Sequence, residues 1–73
     1  MNLERKIRNY ALQNAVKFKG KANPGAIIGK IIAEHPELKS EIAAISKQIA
    51  QIVKEINKLS IGEQLDELQE HAP

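Results

Sequence analysis

The sequence predicts an all-α protein, a small bundle of four helices. Ile, Leu, Ala, Glu, Lys and Gln dominate the chain, whereas Trp and Cys are absent and Tyr and Phe occur once each. Apolar residues also recur at spacings of three and four, the period of a helix with one buried face. A chain of 73 residues has room for one small domain, so we expect residues 1–73 to share a single core.

The first helix is predicted over about residues 2–18. Gly20 follows the last periodic residue and is expected to end this helix as a left-handed C-cap. Because Tyr10 and Phe18 fall on the periodic stripe, we interpret both as core residues and not as platforms on which bases stack. The expected buried stripe consists of Leu3, Ile7, Tyr10, Ala11, Asn14 and Phe18.

The second helix is predicted over about residues 24–34. Asn23 is the expected N-cap, and Pro24 is the expected first helical residue because proline lacks the N–H that would be unsatisfied there. Gly25 and Gly29 each cost a helix roughly 1 kcal/mol relative to alanine, so we expect another helix to pack closely against them. The apolar face is expected to be Ile27, Ile28, Ile31 and Ile32.

Two further helices are predicted after the His35-Pro36 dipeptide, which disfavours helical backbone. A fourth helix at about residues 61–70 follows the capping-box pair Ser60 and Glu63, with Ile61, Leu65 and Leu68 as its apolar face. The third helix, at about residues 38–59, carries an apolar seam with alternating spacings of three and four: Ile42, Ile45, Ile49, Ile52, Ile56 and Leu59.

The net charge of +2 conceals an uneven distribution along the chain. Residues 1–30 contain seven basic residues against Glu4, a balance of +6. Residues 31–73 contain four lysines against eight acidic residues, a balance of −4. This asymmetry indicates a first part that faces a polyanion and a second part that faces solvent or protein.

Few residues in the chain suit catalysis or metal binding. Without Cys there is no disulfide and no thiolate zinc site, and a reducing cytoplasm is the expected location. His35 and His71 have no partner that would orient a general base and no ligands at zinc spacing, so we predict no catalytic residue, metal site or bound cofactor. No stretch approaches the roughly 20 apolar residues that a membrane span requires.

The stretch "GKANPGAIIGK" superficially resembles a Walker A loop, but its glycines are wrongly spaced and no Ser or Thr follows Lys30. Two interpretations remain. The loop can be a solvated turn between packed helices, or it can hold a phosphate at the N-terminus of the second helix. The candidate phosphate-binding residues are Lys17, Lys19, Lys21, Asn23, Gly25 and Lys30, with Arg5 and Arg8 as secondary basic residues.

Two longer stretches resemble a known family. They are "YALQNAVKFKGKANPGAIIGKIIAEHPELK" and, further on, "VKEINKLSIGEQLDEL". Their "YALQNA" helix, "GKANP" turn, "IIGK" helix, "HPEL" turn and "LS…EQ" join resemble the N-terminal helical extension of archaeal-type glutamyl-tRNA synthetases. A weaker likeness after "NP" extends to the helical tail of tRNA-dependent amidotransferase B and E subunits and to the N-terminal region of eukaryotic glutaminyl-tRNA synthetases.

The resemblance implies a parent enzyme that joins glutamate to tRNA with ATP and magnesium. Its Rossmann-type catalytic domain has no counterpart in this chain, which would therefore be a non-catalytic module. One function implied by the resemblance is to aid tRNA binding through the basic loop and helix N-terminus, without reading bases. The alternative is a docking module whose isoleucine seam or glycine-bearing face binds the synthetase body, an amidotransferase or another synthetase.

Overall fold

The structure, a computed structural model, describes residues 3–70, so the predicted start at Asn2 lies outside the described residues. The Cα radius of gyration of 11.5 Å is that of a compact chain of this length. Within residues 3–70 there are five α-helices and no strand: α1 (Leu3–Lys17), α2 (Pro24–Glu34), α3 (Lys39–Ala44), α4 (Ser46–Asn57) and α5 (Ile61–Glu70). The all-α prediction is confirmed, but the predicted number of four helices is not.

Helix α1 is the central element of the protein, because it packs against α2, α4 and α5. Ile7 and Ala11 are buried as predicted, and Leu12 and Ala15, which the single predicted stripe omitted, are buried as well. A helix with neighbours on several sides buries more than one stripe, which explains the two additional core residues. The prediction that Phe18 belongs to the core is wrong, because its side chain lies beyond the end of the helix and is 55% exposed.

The end of α1 is left-handed one residue earlier than predicted. Lys19 has φ +60° and Gly20 follows with φ +93°. The Gly20 N–H donates to the Ala15 carbonyl at 2.6 Å, the long-range bond of a Schellman motif. In that motif the left-handed C′ position belongs to Lys19. Gly20 is still required, because a Cβ there would lie 3.1 Å from Ile61 Cγ1.

Helix α2 has the predicted bounds and the predicted cap. The Asn23 side chain accepts a hydrogen bond from the Gly25 N–H at 2.9 Å. Ile27 and Ile31 are buried against the other helices. The expected close packing against the glycines is wrong: a Cβ on Gly29 would meet nothing within 4 Å, and one on Gly25 would meet only the capping oxygen of Asn23.

The predicted single helix over residues 38–59 is also wrong. A 3-10 turn over Pro36–Leu38 leads into α3, and Ile45, with φ −109° and ψ +20°, separates α3 from α4. On the two sides of this interruption the helices have different neighbours: α3 packs on α2, whereas α4 packs on both α1 and α2.

The isoleucine seam is divided between core and surface. Ile42, Ile49 and Ile56, seven residues apart, are fully buried, together with Val53. Ile45 and Ile52, on the alternate positions of the seam, remain only half-buried. The complete core consists of Ile7, Ala11, Leu12, Ala15, Ala22, Ile27, Ile31, Ile42, Ile49, Val53 and Ile56.

Helix α5 begins with the predicted capping box. The Ser60 N–H donates to Glu63 Oε1 at 2.9 Å and the Glu63 N–H donates to Ser60 Oγ at 3.2 Å. Hydrogen bonds from the backbone and side chain of Ser60 lower the pKa of Glu63. The predicted apolar face is rotated: Ile61 and Leu65 are exposed, whereas the polar Gln64 is completely buried.

We expect replacement of Gly29 by alanine to stabilise the protein by about 1 kcal/mol, because alanine has the better helix propensity and its Cβ meets open space. Gly20→Ala is the matched control and should destabilise by about 1–2 kcal/mol or more, because an L-residue is strained at positive φ. Urea unfolding followed by circular dichroism measures both. Destabilisation by Gly29→Ala would contradict the open surroundings of Gly29.

Candidate nucleic-acid interface

Amide side chains hold the turn between α1 and α2, residues 17–23, which we call the basic turn. Asn57 pairs with Ala22 in both directions: its Oδ1 accepts from the Ala22 N–H at 2.7 Å and its Nδ2 donates to the Ala22 carbonyl at 3.1 Å. Asn14 Oδ1 accepts from the Asn23 N–H at 2.9 Å, and Gln64 Nε2 donates to the Gly20 carbonyl at 3.0 Å. The turn backbone is therefore fixed by side chains from α1, α4 and α5.

These bonds occupy most of the amides that a phosphate would otherwise use at the start of α2. The N–H groups of Asn23, Gly25 and Ile27 already donate within the chain, and Pro24 has none. Ala26 is the remaining early position of the helix that could donate to a ligand. The helix dipole still favours an anion there, but phosphate binding would depend mainly on side chains.

A groove between α1 and α2 brings two of the predicted lysines together. Lys17, at the end of α1, and Lys30, on α2, both line it, and both are exposed. Because α1 and α2 pack against each other, residues that are distant in sequence become neighbours here. We call this the basic groove, and its lining residues are Tyr10, Gln13, Asn14, Lys17, Ala26, Ile27 and Lys30.

A second surface adjoins the basic groove at the turn. Lys21 and Asn23 line it together with Phe18, and Ala26 is common to this surface and the groove. Lys19, at the left-handed position of the turn, is exposed but lines neither surface. The structure thus divides the predicted site into a Lys17 and Lys30 pair and a neighbouring Lys21 and Asn23 pair.

Tyr10 is the residue of this region that the sequence pattern assigned to the core. It is half-buried, with Lys30 Nζ 5.0 Å and Lys6 Nζ 5.8 Å from the centre of its ring. Its hydroxyl donates a hydrogen bond to Glu34, and this bond, with burial and the carboxylate charge, raises the pKa of Tyr10. Tyr10 thus belongs to the basic groove, and Lys6 lies beside the ring without lining the groove. The signal for both in the sequence was a tyrosine one turn from a lysine.

The secondary basic residues Arg5 and Arg8 occupy different situations. Arg8 Nη2 donates to both carboxylate oxygens of Glu67 on α5, at 2.8 and 2.9 Å. This charge-assisted ion pair connects α1 to α5, so Arg8 has a structural role and its charge is already paired within the protein. Arg5 is exposed on α1.

Within residues 3–70 no group of three His, Asp or Glu side chains could hold a metal ion. His35 Nδ1 lies 3.4 Å from Glu37 Oε1, and His71 lies outside the described residues. No helix in the described part of the chain is long and apolar enough to cross a membrane. The interface described above consists of cations, amides and aromatic rings, which suit the binding of a polyanion.

The phenol of Tyr10 should titrate above its ordinary pKa of 10.0, because its hydrogen bond to Glu34 favours the protonated form. A raised pKa stabilises the folded state below the unfolded value, and this contribution is lost as pH rises through the folded pKa. Glu34→Gln should lower the pKa, and Glu37→Gln should leave it unchanged. Tyr10 is the only tyrosine and the chain has no tryptophan, so phenolate absorbance reports it directly.

The sequence of this chain is similar to part of several known enzymes. No protein-family model matches the chain, and no solved structure gives a significant match. Glutamate–tRNA ligase of Methanococcus maripaludis strain C5 is 47% identical over 67 residues, covering 92% of this chain and 12% of that protein. The enzyme of Thermococcus onnurineus is 47% identical and that of Pyrobaculum islandicum 42% identical, each over all 73 residues and 13% of its own length.

The chain thus spans about an eighth of the length of the curated relatives that it matches. The similarity includes the basic turn, α2 and the join into α5, since it covers the whole chain. It confirms the resemblance drawn from the sequence motifs. Over its entire length, this chain is homologous to a segment of archaeal glutamate–tRNA ligases.

Proposed function

We propose that this chain is a non-catalytic module of a glutamate–tRNA ligase that aids tRNA binding during aminoacylation in the cytoplasm. The observation that carries the proposal is the basic groove, which Lys17 of α1 and Lys30 of α2 both line together with Ala26 from the first turn of α2. In this proposal the lysines contact backbone phosphates and raise the affinity of the parent enzyme for tRNA. ATP and magnesium would be bound by a catalytic domain outside this chain.

The charge of the interface supports this function. None of the residues that line the basic groove or the adjoining Phe18 surface is acidic, and the acidic residue beside the groove is Glu34, whose carboxylate accepts a hydrogen bond from the Tyr10 hydroxyl. The acidic residues of the chain lie mostly in the second part, on α3, α4 and α5. A polyanion would therefore be attracted to one side of the molecule, and its encounter would be steered by the charge distribution.

The ordered backbone of the basic turn also supports the proposed tRNA-binding function. The turn backbone is already held by Asn14, Asn57 and Gln64 before any ligand binds. Groups that are fixed in advance lose less conformational entropy on binding, so the lysines need to order only their own side chains.

Binding of tRNA by this chain should depend steeply on salt. The 73-residue chain should bind glutamate tRNA with an affinity that falls steeply with salt, and replacing Lys17, Lys19, Lys21 and Lys30 by Gln should weaken binding. Replacing a lysine that contacts a phosphate should make the negative slope of log K against log salt less steep by about 0.9. Fluorescence anisotropy with labelled tRNA across a salt series measures both quantities.

A matched control removes the same charge from the other part of the chain. The four lysines at positions 39, 47, 54 and 58 are all exposed, and their replacement by Gln changes net charge by the same amount. If position matters, this variant should retain most of the affinity and slope. If both variants lost the same affinity for tRNA, net charge alone would explain the effect. Absence of tRNA binding by the wild-type chain at low salt would contradict the proposed function.

A second candidate function is docking on protein, and the half-buried side of the isoleucine seam favours it. Ile45 and Ile52 line a groove between α1 and α4 together with Leu3 and Ile7. This groove extends from the interruption at Ile45 along α4 to Glu55, and Glu4 also lines it. Its apolar side chains could bind the synthetase body or another protein of translation, and the apolar part of this binding would depend little on salt.

The docking function predicts a different response. Ile52→Gln should weaken binding of the chain to the remainder of an archaeal glutamate–tRNA ligase about tenfold, because an apolar contact would be replaced by a polar one. Ala50→Gln is the control, since Ala50 is exposed on the same helix and does not line the groove. Isothermal titration calorimetry at low and high salt measures the affinity. Unchanged binding by the Ile52 variant would exclude the groove.

A further inference from the structure

The ring of Phe18 is exposed at a fixed place on the molecule. It directly follows the last residue of α1, and 55% of its surface is accessible. Its backbone N–H donates to the Asn14 and Ala15 carbonyls at 3.0 and 3.2 Å, and its carbonyl accepts from the Lys21 N–H. A large apolar side chain is thus held by an ordered turn and directed away from the core.

The surroundings of the ring are cationic. Lys17 Nζ lies 5.9 Å from the ring centre, and Lys21 and Asn23 line the same surface. Lysine is depleted in the cores of protein interfaces, because its hydrated charge is costly to bury. Single-stranded nucleic acid is instead held by cations that contact its backbone and by aromatic faces on which its bases stack.

We propose that Phe18 is a stacking platform for an unpaired base of the RNA whose phosphates occupy the basic groove. The inference rests on the proposed tRNA-binding function and deepens it, because it adds a base contact to binding that otherwise involves phosphates alone. Ala26, which lines both the groove and the Phe18 surface, makes the two contacts continuous. Stacking accepts any base, so the contact distinguishes unpaired from paired RNA and not one sequence from another.

The test compares two RNAs with equal numbers of phosphates: a fully paired duplex and a duplex with a bulge of unpaired adenosines. The wild-type chain should prefer the bulged RNA by about tenfold, the effect of stacking one base. Phe18→Leu keeps an apolar side chain but removes the ring, so it should lose this preference and bind the paired duplex like the wild type. Affinities are measured by fluorescence anisotropy at low salt.

Phe18→Trp provides an independent readout. The chain contains no tryptophan, so this variant carries a single reporter at the proposed platform. Its emission should be quenched by the bulged RNA, and its preference for that RNA should persist. Leu65→Ala is the control for removing exposed apolar surface, because Leu65 is 41% exposed on α5, and it should leave the preference unchanged. Circular dichroism checks that all variants are folded.

The outcomes separate this inference from the function on which it rests. Equal binding of both RNAs by the wild type, or a preserved preference in Phe18→Leu, would overturn the stacking contact and leave phosphate binding intact. Failure of the wild type to bind either RNA would overturn the proposed function itself. If Phe18→Leu instead lost affinity only for the remainder of an archaeal glutamate–tRNA ligase, the ring would belong to a protein interface and the inference would be overturned.

Discussion

The buried side-chain amide of Gln64 connects three parts of the chain. Its Nε2 lies 2.9 Å from the Ile56 carbonyl, 3.0 Å from the Gly20 carbonyl and 3.3 Å from the Leu59 carbonyl, so two N–H groups serve three acceptors. Ile56 lies in the last turn of α4, where carbonyls lack partners within the helix, and Leu59 lies two residues beyond the end of α4. Without this amide, the Gly20 and Leu59 carbonyls would lose this donor and the Ile56 carbonyl would keep the Leu59 N–H; a buried carbonyl left without a donor costs about 1–3 kcal/mol.

Hydrogen bonds from side-chain amides also explain why the basic turn is ordered although it contains a glycine. Asn57 meets both backbone groups of Ala22, and Asn14 and Asn23 take up amides at the start of α2. The hydrogen-bonding capacity of the turn is thus used mainly inside the protein. The groups that remain available to a partner are the side chains of the lysines and of Phe18. Their positions depend on the hydrogen bonds that hold the turn.

Electrostatics divides the molecule in a similar way. Arg8 is paired with Glu67 and connects α1 to α5, whereas Lys17 and Lys30 remain exposed and line the groove between α1 and α2. Partly buried charge-assisted pairs stabilise more than exposed ones, which suits a structural role for Arg8. The cations that a polyanion would meet are therefore a subset of those that the sequence contains.

The sequence by itself determined the helical class, the bounds of α2 with its Asn23 cap, the Ser60 and Glu63 capping box, and the family resemblance, because caps and periodicity are local properties of the chain. Only the tertiary structure decided that Gln64 is buried, that Ile45 interrupts the third predicted helix, that Phe18 is exposed and that Gly29 faces open space. It also decided which lysines meet, since Lys17 and Lys30 become neighbours only when α1 and α2 pack together. Burial depends on which faces the other helices cover, and a linear pattern does not contain that information.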